Sequence, residues 1–451
     1  MMRRTVAELA RLTSGKVSGD GRMVVTGVAI DSREVIPGNL FVALPGARVD
    51  GHDFIADAEV RGAAAVLAAR KVDTSLPVVQ VDDTLSALHC LAAAERFPPR
   101  FKVAGITGSV GKTTTKEFLA ALLATTYPTG SSRGNRNSLT GLPVEICNQA
   151  DEIAWMVAEM GMNHAGELDR LGAMARPDAM IYTLIGPAHI EFFGTLEAIA
   201  EAKAEVLPHL HPEGLLVLNA ADPFSSLFAS RYCGHTISYG APGESAMWID
   251  EFQGWGLRGA RVVLRSPEAS AAVEWRIAGR HQADNLLAAA TCAVALGVPL
   301  EHIPAVAQTL NAAPRRGQVH DLGNGIALVD DSYNAAPPAM EAALALLAET
   351  PGRRIAVLGE MRELGEAAAE LHRRVGRAAA TAAHVLVAVG GELAAAMAAA
   401  AAGIEVHRVA DAPAAVALLR DALRPGDVVL VKGSRGVQLD RAVDALLGEM
   451  A

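Results

Sequence analysis

The chain has 451 residues, 51% of them hydrophobic and only 4% aromatic, with a formal net charge of −10. That length predicts roughly two to four domains with ample core, and Ala, Val and Leu must fill those cores, which suits helices packed on parallel sheets. The acidic balance argues against a nucleic-acid surface but leaves room for an anionic nucleotide held by local loops. The four cysteines (90, 147, 233, 292) form no C-x-x-C pair, so a zinc ribbon or disulfide scaffold is not expected and a reducing compartment fits. The opening MMRRTVAELARL has no apolar stretch behind its arginines, and no uncharged apolar run reaches spanning length. A cytoplasmic location without membrane insertion is expected.

Residues 1–84 read as a small α/β domain. A helix is predicted from about Thr5, with Val6, Leu9 and Leu12 on one face. The stretches KVSG, MVVTGVAID and NLFVAL read as strands, followed by a helix over 55–61 and two more strands, AAAVLAA and PVVQVDD. Between them, 31–54 is dense in turn residues and carries Asp31, Ser32, Arg33, Asp50 and His52. Solvated loops explain this as well as a pocket in which Ser32, Arg33 and backbone groups bind an anionic ligand.

A helix over 85–97 and the break Pro98-Pro99 lead into a central domain, 85–313, of alternating strands and helices. Its first strand (103–106) runs into T-G-S-V-G-K-T-T and a helix opening at Lys112. Glycines at 108 and 111, with Ser109 between them, leave backbone N–H groups free at a helix N-terminus, where they can cradle phosphates. Lys112 is placed to reach the β- and γ-phosphates, Thr113 to ligate Mg²⁺, and Thr114 extends the motif. Ile106 stands where the general G-x-x-x-x-G-K-[ST] pattern has its first glycine. The strands IAWMVAEMG and DAMIYTLIG end near Glu159 and His189, on the sheet edge where ligands collect in parallel sheets. Each could equally be a loop or cap residue.

In the helix LEAIAEAKAEVLPHL, Lys203 shares the apolar face with Ile199 and Val206. Spacing alone favours a lysine that snorkels to solvent. The other reading is a buried amine of lowered pKa, neutral enough to react with CO₂ and form a metal-binding carbamate. Further on, VEWRIAG reads as a strand and RHQADN opens an Ala-rich helix, with His281 and Asn285 four apart on one face. They could stack on and bond a purine, or be ordinary residues of a helix start. Residues 314–451 read as a doubly wound, Rossmann-like unit of five strands, without G-x-G-x-x-G after the first. Polar clusters follow three of them: Asp331, Tyr333 and Asn334; Glu360, Arg362 and Glu363; Lys432, Ser434 and Arg435. They are helix caps or a ligand-facing rim.

These residues resemble the ATP-dependent Mur ligases of peptidoglycan synthesis, over nearly the whole chain. The loop T-G-S-x-G-K-T-T is the family's form of the phosphate loop. E-M-G-M-N-H-A-G-E (159–167) resembles the segment whose first glutamate holds Mg²⁺. H-I-E-F-F-G-T with A-K-A-E resembles the metal-site histidine and carbamylated lysine, which overrides the snorkelling reading of Lys203. G-R-H-Q-A-D-N resembles the adenine segment. G-N-R-N-S-L-T-G-L-P, containing Asn137, D-D-S-Y-N-A and V-L-G-E-M-R-E-L-G-E are similar to the branch that joins D-Ala-D-Ala to UDP-MurNAc-tripeptide. The chain departs from that pattern at Ser138, Ala336 and Gln318, and Arg316, beside Arg315, could supply the phosphate-contacting charge.

The resemblance implies three α/β domains: a UDP-sugar-binding domain, a central P-loop ATPase domain with a parallel sheet, and a Rossmann-like domain that brings the dipeptide. It implies ATP, two Mg²⁺ ions, a carbamate on Lys203, an acyl-phosphate intermediate and a monomer. Asp331, Tyr333, Asn334, Lys432, Ser434 and Arg435 would then meet the dipeptide, and Ser32, Arg33 and Asn137 the UDP substrate. Rival readings are the Mur ligase adding the third stem-peptide residue, and a nucleotide-binding protein with no ligase chemistry.

Overall fold

The structure, a computed structural model, describes residues 1–46 and 49–450, the side chains of 449 and 450 excepted; positions 47 and 48 of the turn-rich segment lie outside it. Its centre is a six-stranded all-parallel sheet, in the spatial order His235–Tyr239, Leu215–Asn219, Ala179–Tyr182, Lys102–Thr107, Trp155–Glu159 and Thr129–Ser131. Lys102–Thr107 is buried from Val103 onward, as its apolar sequence requires. The chain leaves it through the helix Lys112–Leu123 toward one sheet edge, then crosses to the other side at Ala179–Tyr182. This reversal of winding direction opens a crevice at the carboxyl end of Lys102–Thr107. The register sets Glu159 beside Ile106 and Tyr182 beside Thr107, so both neighbouring strands end at that crevice.

One face of this sheet is covered by the helices Lys112–Leu123 and Arg280–Ala295. Over them lies a three-stranded antiparallel sheet, Trp248–Gly254, Ala260–Arg265 and Ser270–Trp275. The predicted strand VEWRIAG falls in this sheet rather than in the alternating one. Its period of two is plain in the burial: Ala271, Val273 and Trp275 point inward, and Ser270, Ala272 and Glu274 outward. Trp275 packs on Phe118 with ring centroids 5.6 Å apart.

The other face shares one hydrophobic core with the N-terminal domain. Val6, Leu9, Leu40 and Leu67 join Leu142, Leu168, Leu171 and Ile199 in it. The first helix, Val6–Leu12, opens on a capping box in which Thr5 Oγ1 accepts from Glu8 N (3.3 Å) and Glu8 Oε2 from Thr5 N (2.7 Å). MVVTGVAID is not one strand. It breaks at Gly27 into Val24–Thr26, antiparallel to Arg3–Thr5, and Val28–Ala29, the edge of a five-stranded sheet.

The C-terminal sheet runs Gln318–Asp321, Ala327–Asp330, Val428–Lys432, Arg354–Gly359, Val385–Val389 and Glu405–Val409. All pairs are parallel except the first, an edge strand that alternation does not predict because it is polar and half-exposed. Ile190 of the central domain packs against the core of this third sheet. No helix among the described residues is long and apolar enough to cross a membrane.

Candidate active site

The loop after Lys102–Thr107 demands its glycines. Gly108 (φ +145°) and Gly111 (φ +85°) lie where L side chains are strained, and a Cβ on either would collide, with Thr183 Oγ1 and Asn285 Oδ1 respectively. Ser109 staples the loop to its neighbour: its Oγ donates to Gly186 O (2.8 Å) and its N–H to Leu184 O (2.7 Å). Ile106 takes the first-glycine position without cost because it is a buried strand residue, not part of the turn. Lys112 Nζ curls back to donate to Gly108 O (2.9 Å) and Ser109 O (3.3 Å), and burial lowers its pKa while Glu159 opposes the shift.

Glu159 is buried with both carboxylate oxygens engaged. Thr113 Oγ1 donates to Oε2 and Asn137 Nδ2 to Oε1, each at 2.6 Å, while Ser132 Oγ accepts from the Glu159 N–H. Thr114 is buried in the first turn of the same helix. Lys203, in Leu196–Ala204, is 3% exposed, so the snorkelling reading fails. Burial drives its amine well below the ordinary lysine range, Lys112 adds to the effect and Glu159 works against it. The Lys203 helix packs into the shared core through Ile199, Ala200, Ala202 and Ala204. His189 caps the short helix Ile190–Phe193 in the left-handed region (φ +62°) and sets Nδ1 2.5 Å from Glu363 Oε2. Burial lowers its pKa, against the pull of Glu363.

His281 and Asn285 stand on the first turns of Arg280–Ala295. The Asn285 side chain lies against Gly111 and accepts a long bond from Thr115 Oγ1 (3.5 Å), which joins this helix to the phosphate loop. His281 faces the C-terminal domain, where its pKa feels Asp331 and Lys432 in opposite senses after burial has lowered it.

Across the crevice, Lys432 Nζ donates to Asp331 Oδ2 (2.7 Å) and Asn334 O (3.1 Å). Arg316 lies 4.1 Å over the Tyr333 ring and acts on the charge of Lys112, whereas Arg315 is committed to Asp444 and the carbonyl of Asp440. The two arginines are thereby separated into one that faces the site and one that anchors the last helix. Arg435 is exposed, 6.0 Å from Tyr333. Ser434 Oγ accepts from Arg362 N (2.9 Å). Glu360 is a helix cap, accepting from the N–H groups of Gly391, Leu393 and Ala394.

Ser32 and Arg33 are not brought to this crevice. Ser32 is buried and Arg33 is exposed, its guanidinium forked onto Asp31. His52 is structural, set between Asp50 and the Ala69 N–H. A cavity of about 490 Å³ between the first two domains is lined by Glu34, Asn39, Arg133, Arg136 and Glu145 instead. The departures are locally satisfied: Ser138 Oγ accepts from Gly141 N (3.3 Å), and Gln318 Oε1 from Arg315 N (3.1 Å). Ala336 is the extended residue before the helix Pro337–Ala348.

Three family models match successive segments of the chain. Residues 24–96 match the model "Mur ligase family, catalytic domain", 106–293 "Mur ligase middle domain" and 315–435 "Mur ligase, glutamate ligase domain". The UDP-N-acetylmuramoyl-tripeptide--D-alanyl-D-alanine ligase of Mycobacterium tuberculosis (strain ATCC 25618 / H37Rv) is 35% identical over 100% of this chain and 98% of its own. The chain belongs to the Mur ligase family. A crystal structure of MurF from Acinetobacter baumannii superposes with a TM-score of 0.92 at 29% identity, covering 99% of both chains. MurF from Thermotoga maritima in complex with ADP superposes with a TM-score of 0.84 at 30% identity, over 94% of this chain and 98% of that one.

Two features of this Mur ligase escape sequence reading. Lys116, one turn beyond Lys112, is wholly buried and donates to Ser132 O (2.5 Å) and Gly134 O (3.3 Å). It ties the phosphate-loop helix to the segment that carries Asn137. The only signal in sequence is a lysine among apolar helix positions, which spacing assigns to solvent. The other is the pairing of Glu363 with His189: sequence puts Glu363 in a polar cluster of caps or rim residues, and docking of the third domain gives it this partner. Among the described residues no three His, Cys, Asp or Glu side chains form a metal cage. The donors present still fit Mg²⁺, which takes one or two protein oxygens and completes its shell with water and substrate phosphates.

Proposed function

We propose that this chain is an ATP-dependent ligase that joins D-Ala-D-Ala to UDP-MurNAc-tripeptide. The observation that carries the reading is one crevice in which a phosphate loop, a carboxylate held by Thr113 and Asn137, and the buried Lys203 amine meet the docked C-terminal domain. Full-length likeness to relatives named for this activity supports the substrate choice. The N-terminal domain (1–84) holds the UDP end, the central domain (85–313) holds ATP, and the C-terminal domain (314–451) brings the dipeptide.

A carboxylate cannot be displaced directly by an amine, so it must first gain a leaving group. The terminal carboxylate of the tripeptide attacks the γ-phosphorus of ATP, releasing ADP and forming an acyl phosphate. The amine of D-Ala-D-Ala then adds to the acyl carbon, and the tetrahedral adduct expels phosphate to leave the amide. The first step brings two anions together, so charge neutralisation governs its rate. Lys112 and the loop N–H groups hold the β- and γ-phosphates, and Arg316 adds a second cation nearby. Thr113 and Glu159 would hold one Mg²⁺, and His189 with the carbamate of Lys203 a second; bound there, the ions neutralise phosphate and carboxylate charge. The carbamate forms when the neutral amine adds to CO₂ with loss of a proton, and the depressed pKa of Lys203 favours it. His281 and Asn285 flank the adenine. Ser32, Arg33 and Asn137 contact the UDP substrate, and Asp331, Tyr333, Asn334, Lys432, Ser434 and Arg435 form the dipeptide rim. The chain works as a monomer in the cytoplasm, without nucleic acid or membrane.

Phosphate release tests the assignment, with ATP, Mg²⁺, UDP-MurNAc-tripeptide and D-Ala-D-Ala omitted in turn. Release that needs all four, with a UDP-pentapeptide product by mass, is expected. Turnover that needs UDP-MurNAc-dipeptide and a free diamino acid would assign the chain to third-residue addition instead.

A further inference from the structure

His189 is gripped from the neighbouring domain. Glu363, itself in the left-handed region (φ +63°), accepts the Glu191 N–H at its carbonyl (3.1 Å) and sets its carboxylate 2.5 Å from His189 Nδ1. Gly365 lies against the Glu191 backbone, and Ile190 packs on the C-terminal core. Side chain, main chain and packing thus converge on one three-residue turn. An ionised carboxylate only accepts, so Nδ1 carries the hydrogen and Nε2 keeps its lone pair. A histidine that ligates a metal commonly donates its other ring N–H to a carboxylate, which fixes both tautomer and ring orientation.

We propose that Glu363 is a positioning residue of the ligase reaction. Carried by the C-terminal domain, it locks His189 in the orientation that offers Nε2 to a divalent cation, so this side of the site is completed only when that domain docks. The inference rests on the ligase reading for His189 as a ligand. Its consequence is order: ATP is committed only when the domain that brings the acceptor amine is already in place.

The test compares the full-length wild type with Glu363→Ala and Glu363→Gln. Binding of Mn²⁺ in the presence of ADP is read by electron paramagnetic resonance, and turnover is measured against Mg²⁺ concentration. Removal of a carboxylate partner of a metal-bound histidine typically costs about 10- to 100-fold in metal affinity. The Ala variant is expected to weaken Mn²⁺ by at least about tenfold and to raise the half-saturating Mg²⁺ in parallel, with the KM for ATP changed less than about twofold. The Gln variant, whose amide oxygen still accepts the Nδ1 hydrogen, should recover most of the loss. In a His189→Ala background the Glu363→Ala change should add nothing, because the two act as one unit. Wild-type Mn²⁺ affinity in the Ala variant, equal impairment of Ala and Gln, or additive effects with His189→Ala would each overturn the proposal. The Glu363 side chain is 44% exposed, so the fold should survive; Glu363→Asp, too short to reach Nδ1, replaces the Ala variant if it does not. A wild type that binds Mn²⁺ with ADP but ligates no dipeptide would overturn the functional reading while the Mn²⁺ comparison still decides Glu363.

Discussion

The two walls of the crevice are built differently. On the central-domain wall, Thr113, Glu159, Asn137 and Lys203 are positioned by their own domain, and Glu159 spends both oxygens on neighbours from that wall. On the C-terminal wall, Lys432 is spent on Asp331 and Glu360 on a helix N-terminus, while Glu363 reaches across the boundary. The first wall is held by contacts within one domain; the second bears on it through Glu363. Holding the nucleotide is therefore the task of the first wall, while Glu363 couples its metal side to the second, and substitutions should sort by wall.

The largest effect is expected on the first wall. Lys112→Ala or Glu159→Ala should lower the phosphate-release rate by about 10²- to 10³-fold, the usual cost of losing one preorganised group at developing charge. The KM for D-Ala-D-Ala should stay within about twofold, since neither touches the acceptor wall. A loss confined to that KM would erase the distinction between the walls.

Next is Lys432→Met, which leaves the Asp331 carboxylate without its ion partner. Breaking such a buried pair should lower stability by about 3 kcal/mol, read from the urea midpoint. Isolated ATP binding should survive.

Lys116→Met tests how the first wall is held. It strips the Ser132 and Gly134 carbonyls of a donor and should cost about 1–3 kcal/mol. A higher Mg²⁺ requirement should accompany the drop in melting temperature, because Asn137 is then released from Glu159. Loss of stability at an unchanged Mg²⁺ requirement would make Lys116 a packing residue only.

The smallest effect is expected at Arg33, far from both walls. Its forked bond to Asp31 is solvent-exposed, so Arg33→Ala should leave the melting temperature unchanged. If Arg33 contacts the UDP substrate, that KM rises several-fold at constant kcat; an unchanged KM would remove it from the binding site.

Legibility in the sequence followed the same division. The phosphate loop could be read because backbone geometry dictates residue type there: Gly108 and Gly111 have no substitutes. The alternating β/α order was likewise enough for the two parallel sheets. Lys203 could be flagged as odd, but a helical period gives a face, not what covers it. The burial of Lys203 comes from packing between elements distant in sequence, and that is a tertiary fact. In the sheet 248–275 only the strand ending at Trp275 is legible, because the other two carry Asp250, Glu251, Arg261 and Arg265 and look like loop. MVVTGVAID reads as one strand because its apolar run hides the change of partner at Gly27. Glu363 reads as one of a polar cluster after a strand, but its partner His189 lies in another domain and the pairing has no signal in the sequence.

The most direct test of the account follows an oxygen atom. UDP-MurNAc-tripeptide labelled with ¹⁸O in its terminal carboxylate is turned over with ATP and D-Ala-D-Ala, and the released phosphate is analysed by mass. Attack of the carboxylate on the γ-phosphorus predicts one labelled oxygen per phosphate released. Unlabelled phosphate, or label in AMP, would contradict the acyl-phosphate route and the assignment of the crevice to it.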